Sequence, residues 1–238
     1  MVATGNEMSA GDGRPEPDVD VLERIYAARH SCRGFRPEPV PRPVIERILS
    51  VAQRTASWCN AQSWRAIVTS GEETARFRQA LCDHAAVEGS KPDIPFPREY
   101  RGVHLERRRE CGYRLYESVG IARGDRAGSA KQMFENFRLF GAPHVAILSS
   151  DEALGAYGAI DCGAFVSSFL LVAQSLGVAT IAQASLAMHS DFLHRYFDIP
   201  GDRLIVCAIS FGYEDEAHPA NAFRTRRAGL EEVVTWRG

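Results

Sequence analysis

The apolar stretch from Gly155 to Gly177 is the feature that most constrains how this chain can fold. It has the length of a membrane span, but it contains Asp161, several serines and Gln174. A charged residue within a lipid bilayer is costly. The stretch therefore predicts a buried core helix over about Ala156–Leu176, against which the other elements of a globular domain pack.

The bulk composition is typical of a single soluble globular domain. The 238 residues are 45% hydrophobic and 24% charged. The formal net charge of -2 provides no overall field that would attract nucleic acid or a membrane. Residues 1–18, rich in Gly, Pro, Glu and Asp, lack the apolar segment of a signal peptide and are expected to form a flexible leader. Residues 19–238 are then one domain.

The six cysteines are widely spaced and form no C-x-x-C pair. That spacing favours buried thiols in a reducing cytoplasm over a disulfide framework.

Hydrophobic periodicity predicts the elements of an α+β domain with a central mixed sheet flanked by helices. Helices are expected at Asp18–Ala28, after Pro41 and Pro43, at 72–87, at 98–119 and before Pro200. Strands are expected at 64–70, 142–148, 178–182 and 204–210, the last buried on both faces. Residues 91–97 and the region around Gly124 and Gly128 are predicted as loops, and Leu230–Trp236 as an edge or exchanged strand.

The motifs of several enzyme classes are missing. The chain has no G-x-G-x-x-G turn after a strand, no G-x-x-x-x-G-K-[ST] phosphate loop and no G-x-S-x-G elbow. His189 and His194 are five residues apart and would not converge on one helix face, so no metal site is expected. An enzyme of this kind needs an organic cofactor, bound without a dinucleotide fingerprint.

Three short segments carry polar groups suited to such a cofactor. Arg29 and Arg33 flank Ser31, and guanidinium forks match phosphate oxygens, although an arginine at a helix end also complements the helix dipole. Asn60 and Gln62 lie before a predicted strand, where their amides either bind a heterocycle edge or cap a loop. Residues 221–227 either complete the site or form a solvated basic turn.

Together these segments resemble the nitroreductase family. The motif R-[RH]-S-x-[RK]-x-F matches Arg29–Phe35, and P-S-x-x-N-x-Q-P-W is similar to Ala56–Trp64, with Ala56 and Ser63 in place of the two prolines. The core helix, the L-G-[LV]-x-T turn at Leu176–Thr180, the pair Gly212–Tyr213 and a closing R-x-x-L-E-E-V-V from Arg227 are also similar. The resemblance spans residues 19–236.

The resemblance implies an intertwined homodimer that holds FMN. It implies reduction of nitroaromatic compounds by NAD(P)H through ping-pong hydride transfer, from nitro to nitroso and hydroxylamine. Residues 97–140 look like the subset that acts on nitrobenzoate-like substrates. Reductive dehalogenation, enone reduction, flavin fragmentation and non-catalytic flavin binding are the alternatives on the same scaffold.

The resemblance also implies roles for individual residues. Arg29 and Arg227 would grip the ribityl phosphate, Arg33 would lie towards the pyrimidine edge of the flavin, and the Asn60 loop would come from the partner subunit. The residues expected at FMN are Arg29, His30, Ser31, Cys32, Arg33, Ala56, Ser57, Asn60, Ala182, Gln183, Ala184, Thr225 and Arg227. Those expected at the substrate are Tyr100, Arg107, Asn136 and Phe137, although an arginine run such as 107–109 is more often a solvated helix face. No acid/base side chain is assigned.

Overall fold

The computed structural model describes residues 17–238. The helices of this part of the chain are α1 Asp18–Ala28, α2 Arg42–Ala52, α3 Glu72–Val87, α4 Gly102–Ser118, α5 Arg126–Phe134, α6 Gly155–Ser175, α7 Ser190–Phe197 and α8 Leu230–Val233. The strands are β1 Trp64–Thr69, β2 His144–Asp151, β3 Ala179–Gln183 and β4 Arg203–Gly212. Residues 1–16 of the expected leader lie outside this description, and Asp18 already belongs to α1.

The sheet has the strand order β1-β2-β4-β3, and all three pairings are antiparallel. The expectation of a mixed sheet is wrong for these strands, because the one parallel pairing within residues 17–238 is an isolated bridge between Ser31 and Thr180. Central β4 buries side chains on both faces, as expected; Ile205, Ala208 and Ile209 are fully buried. The sheet thus divides the core in two.

Alternation along β2 sends its side chains to both halves of this core. Val145 and Ile147 join one cluster with Phe77 of α3. Ala146 and Leu148 join the other, which includes the residues that α2 and α6 contribute. The α3–α7 layer and the α2–α6 layer therefore cover opposite faces of the sheet.

Helix α6 packs on the sheet, on α2 and on α1. Phe165, Phe169 and Ala173 are buried, which confirms the predicted core helix. The opposite face is exposed. Residues Glu152–Ser175, which include α6, have the length and composition of a membrane span, and 33% of their most apolar part is buried. The core helix of a globular protein can have the same length and composition.

Three local predictions are wrong. The region around Gly128 is the helix α5, whose first turn is capped by the Asp125 carboxylate accepting from the Gly128 N–H at 2.8 Å. The tail forms the short helix α8, in which the Glu232 carboxylate accepts from the Gly229 N–H. Not all cysteines are buried, since Cys59 is exposed; all six thiols are free.

Candidate cofactor site

The segment after α1 is attached to the edge of the sheet. The Cys32 N–H donates to the Thr180 carbonyl of β3 at 3.0 Å, beside the Ser31–Thr180 bridge. The Cys32 thiol is buried and donates to the Gly34 carbonyl at 3.1 Å. Burial raises the pKa of Cys32 to about 12. Cys32 is therefore a neutral packing residue, and only its backbone is available to a ligand.

Asn221 ties this segment to the C-terminal one. Its buried amide accepts a hydrogen bond from the Arg33 N–H at 2.6 Å and donates to the carbonyls of Gly34 and Asp215, each at 2.9 Å. The chain passes so closely here that a side chain at Gly34 would overlap the His218 ring. The first and third sequence segments thus form one structural unit.

These two segments enclose a cavity of about 350 Å³, which we call the Arg29 cavity. It is lined by Tyr26, Ala27, Arg29, His30, Ser31, Arg33, Cys111, Phe223, Arg224, Thr225 and Arg227. The structure therefore brings together the predicted phosphate-binding residues from both ends of the chain.

The Arg29 cavity is electropositive. Within residues 17–238, no carboxylate lies within 4.0 Å of the guanidinium groups of Arg29, Arg33 or Arg227. Burial, and then the positive charge of Arg227, lower the pKa of Arg29 below its usual value. An anion placed between two such guanidinium groups would remove their repulsion and use their free N–H donors.

Two neighbours fix the polar side chains of the Arg29 cavity. The Thr225 hydroxyl accepts a hydrogen bond from Arg227 Nη1 at 2.9 Å, as expected for a supporting residue. His30 Nε2 lies 2.9 Å from the Glu214 carboxylate, so the nearby acid is engaged by the histidine. The donors and their charge fit the phosphate of FMN.

The end of β3 exposes small side chains only at the two positions that flank Gln183. Ala182 and Ala184 are exposed, whereas Gln183 between them is buried. The Gln183 amide donates to the Asn136 carbonyl at 3.0 Å and accepts from the Ser210 hydroxyl. The expected contribution of Gln183 to the flavin ring is thus limited to its backbone.

Asn136 and Phe137 do not line the Arg29 cavity, and their side chains make contacts within the fold. The Asn136 side-chain oxygen accepts from Gln183 Nε2 at 3.2 Å and from the Ser185 hydroxyl at 2.9 Å, which makes it a tie between two segments. Phe137 is buried and packs edge-on against His189, with ring centres 5.1 Å apart. Phe137 is only 5% exposed, and its contact with a substrate remains a prediction.

The Asn60 loop has an unusual backbone. Cys59, Asn60 and Gln62 all have φ in the left-handed region, at 48°, 57° and 49°. Such residues cost energy unless their surroundings hold them, and they cluster at functional sites. Here the buried Asp161 carboxylate accepts from the Trp58 N–H at 3.1 Å, and the Ser57 hydroxyl accepts from the Gln62 N–H at 2.9 Å.

The Asn60 loop does not line the Arg29 cavity of its own chain. Ala56 and Asn60 are exposed, and Ser57 is half-buried. Their predicted contact with a partner's cofactor remains a prediction.

Helix α4 and the C-terminal segment enclose a second cavity of about 810 Å³, the α4 cavity. Its lining is Arg107, Glu110, Cys111, Arg114, Thr225, Arg226, Arg227, Ala228, Glu232 and Val233. Arg107 forms an ion pair with Glu232 at 3.0 Å. Tyr100 lies outside both cavities, and the centre of its ring is 5.1 Å from the guanidinium carbon of Arg108. Of these two expected substrate residues, only Arg107 reaches a cavity near the Arg29 site.

Comparison with known proteins now decides the family. The Nitroreductase family pattern matches residues 26–213, which is most of the chain. The chain belongs to the nitroreductase family. Among its nitroreductase relatives, nitroreductase NfnB of Mycolicibacterium smegmatis is 34% identical over 92% of this chain and 94% of the relative. The 4-nitrobenzoate reductase of Pseudomonas putida is 30% identical over 88% of this chain and 92% of the relative.

The nitroreductase fold is confirmed by a solved structure. The FMN-dependent nitroreductase NfnB from Mycobacterium smegmatis, in complex with NADPH, superposes with a TM-score of 0.88 and 32% identity. The match covers 93% of this chain and all of that one, at 100%.

Sequence reasoning missed two residues that shape this nitroreductase site. Asn221 belongs to the basic C-terminal segment 221–227, but its role depends on a contact with Arg33, which is remote in sequence. The sequence identifies Asp161 only as a charged residue in an apolar helix. The cost of burying an unpaired charge was the signal that it needs a partner, and the Asn60 loop supplies one.

Proposed function

We propose that this chain is an FMN-dependent nitroreductase that oxidises NAD(P)H and reduces small nitroaromatic compounds. The observation that carries the proposal is the Arg29 cavity. The guanidinium groups of Arg29 and Arg227 both line it and repel one another, and no described carboxylate forms an ion pair with either of them. The same fold, over nearly its whole length, is shared with a relative named as FMN-dependent and solved with NADPH.

Different residues would bind the phosphate and the ring system of the cofactor. Arg29 and Arg227 would bind the phosphate, with Thr225 fixing the orientation of Arg227. Arg33, with its guanidinium 5.7 Å from the centre of the Phe223 ring, would place a positive charge near the flavin. FMN, when bound, supplies hydride and electron transfer between the nicotinamide and the nitro group.

The remaining groups expected near the flavin would orient it without reacting. Ala182 and Ala184 would present methyl groups and backbone to one side of the ring. A positive charge held close to the ring favours the negative charge that builds up on reduction. The neutral Cys32 thiol adds no nucleophile.

We also propose that two copies of the chain form the working unit. The exposed face of α6, which we call the α6 stripe, consists of Tyr157, Ile160, Ala164 and Ser167. Tyr157 and Ile160 are 59% and 63% exposed, and Trp58 packs on Tyr157 with ring centres 5.1 Å apart. Contiguous apolar surface of this kind marks an interaction site.

A second copy is the occupant that best fits the α6 stripe. The stripe is continuous with the Asn60 loop, which has three residues with left-handed backbone and does not line the Arg29 cavity of its own chain. A symmetric contact through α6 would carry this loop towards the cofactor of the other copy.

The enzymatic proposal is tested on the purified protein under anaerobic conditions. We expect bound or readily acquired FMN, and oxidation of NADPH or NADH that depends on added 4-nitrobenzoate or nitrobenzene. Failure to take up FMN would overturn the proposal. FMN binding without nicotinamide oxidation would identify a non-catalytic flavin protein, and turnover only with an enone or a halogenated aromatic would identify another flavin chemistry.

The dimer is tested by light scattering. Ile160→Asp places a charge in the α6 stripe, and we expect it to yield monomers that bind FMN more weakly. Val87→Asp, at a still more exposed aliphatic position at the end of α3, is the matched control and should remain dimeric. A wild-type monomer that retains FMN would contradict the shared site.

A further inference from the structure

The α4 cavity is a second basic volume next to the Arg29 cavity. The two cavities share Cys111, Thr225 and Arg227. Four guanidinium groups and two carboxylates line the α4 cavity, and without Arg227, which is assigned to the FMN phosphate, its lining still has a net charge of +1 at neutral pH. The single phosphate of FMN is accounted for by the Arg29 cavity. The α4 cavity therefore has the charge to receive an anionic group of a different ligand.

The arginines of the α4 cavity retain free donors. Arg226 uses Nε towards Glu110 at 3.0 Å, and Arg107 uses one terminal nitrogen towards Glu232 at 3.0 Å. A guanidinium carries five N–H donors, so each can bind a further oxygen. Arg226 and Arg107 are 76% and 43% exposed, and ion pairs this exposed are weak. A phosphate dianion can compete with these carboxylates.

We propose that the α4 cavity binds the 2′-phosphate of the adenosine half of NADPH, with Arg107 and Arg226 as its ligands. The inference rests on the proposed function, in which a nicotinamide dinucleotide is one of the two substrates. Arginine is the residue that accommodates this phosphate in other NADP-binding proteins. A cavity of about 810 Å³ is of the size that holds a nucleotide, and NADPH is long enough to reach from it to a flavin in the adjoining site.

The consequence is a preference for NADPH over NADH. The two donors differ only in the 2′-phosphate, so a site for that group contributes to NADPH binding and nothing to NADH binding. Glu110, which engages Arg226, opposes the phosphate and limits this preference.

A calorimetric experiment on the FMN-loaded protein tests the site without turnover. The probes are adenosine 2′,5′-bisphosphate and adenosine 5′-monophosphate, which differ by one phosphate. We expect the bisphosphate to bind roughly three- to tenfold more tightly, as for an exposed charge-assisted contact. Equal affinity for the two probes would overturn the proposal.

Variants then assign the contact to residues. Arg107→Gln and Arg226→Gln should each remove most of the difference between the probes, whereas Glu110→Gln should enlarge it. Arg109→Gln, on the same helix but outside the α4 cavity, is the control and should leave the difference intact. A difference that survives both Arg107→Gln and Arg226→Gln would place the phosphate elsewhere and overturn the assignment.

Steady-state kinetics separate this inference from the proposed function. The ratio of kcat/KM for NADPH to that for NADH should fall in Arg107→Gln and rise in Glu110→Gln. Oxidation of neither nicotinamide, with the probe difference intact, would remove the proposed function and leave the phosphate site. An unchanged ratio, with a loss confined to 4-nitrobenzoate and absent for nitrobenzene, would assign the cavity to the substrate carboxylate and overturn the inference.

Discussion

Replacing Arg227 by glutamine should have opposite effects on the FMN-free and FMN-loaded protein. Without FMN, the positive charge of Arg227 is one cause of the lowered pKa of Arg29, because the two guanidinium groups repel one another. The substitution relieves this repulsion and removes no ion pair within residues 17–238. Stability without FMN should therefore stay the same or rise slightly.

With FMN bound, the same substitution removes a contact to the phosphate. A charge-assisted hydrogen bond contributes about 1.5–3 kcal/mol, and the exposure of Arg227 favours the lower end. The expected loss in FMN affinity is about tenfold, which is about 1.4 kcal/mol. At saturating FMN that loss appears in full as lower stability, and for a chain of this length it corresponds to a Tm about 3–6 °C lower.

The measurement is a titration of FMN-free protein by flavin fluorescence quenching, with thermal unfolding in the presence and absence of FMN. Arg109→Gln, which removes an exposed arginine outside the site, is the control. An unchanged dissociation constant for Arg227→Gln would refute the assignment of the phosphate to the Arg29 cavity. An equal fall in Tm with and without FMN would show that Arg227 supports the fold instead.

Three further predictions concern the scaffold. His194 donates from Nδ1 to the Ile199 carbonyl and from Nε2 to the Asp93 carboxylate, and despite opposing burial these bonds raise the pKa of His194. The stability advantage over His194→Gln, measured by urea unfolding, should be full below pH of about 6.5 and decline as the pH rises through the folded pKa. Asn221→Ala leaves the Arg33 N–H without its acceptor, whereas the carbonyls of Gly34 and Asp215 keep other donors. It should cost about 1–3 kcal/mol in unfolding free energy by the same assay, with weaker FMN binding in the titration. Asn136→Ala should weaken FMN binding, whereas Asn136→Asp, which keeps the acceptor oxygen, should restore part of it; equal Kd values for both variants would contradict the tie to Gln183.

The elements that local sequence determines were predicted well. Helix α1 has the predicted bounds, and the apolar face of α2 is buried as its spacing requires, because both patterns depend on residues a few positions apart. The antiparallel direction of the sheet was not predicted, since it depends on how distant strands meet. Helix α5 was missed because Gly124 and Gly128 are typical of a loop, and the stabilising Asp125 cap is a single side-chain contact.

The charged residues of the site were predicted, but the hydrogen bonds that hold the neighbouring backbone were not. Arg29 and Arg227 were found because a family motif marks them, and the structure places both in one cavity. Gln183 and Asn136 were expected at ligands, yet their polar atoms bind one another. A sequence motif records that a residue type recurs, and it does not distinguish an amide that faces a ligand from one that holds the backbone beside it.

The Asn221 tie has a consequence for the order in which the protein matures. Arg33 and Asn221 are separated by 188 positions, so their hydrogen bond closes a loop that contains nearly the whole domain. During synthesis the arginine-bearing segment leaves the ribosome well before the residue that fixes its backbone, which follows 188 positions later. Contacts between such distant positions form late in folding, because the chain between them must be ordered first. Flavin capture is therefore confined to a chain that extends past Asn221, and a product truncated before Asn221 would have the sheet and α6 but no ordered place for the phosphate.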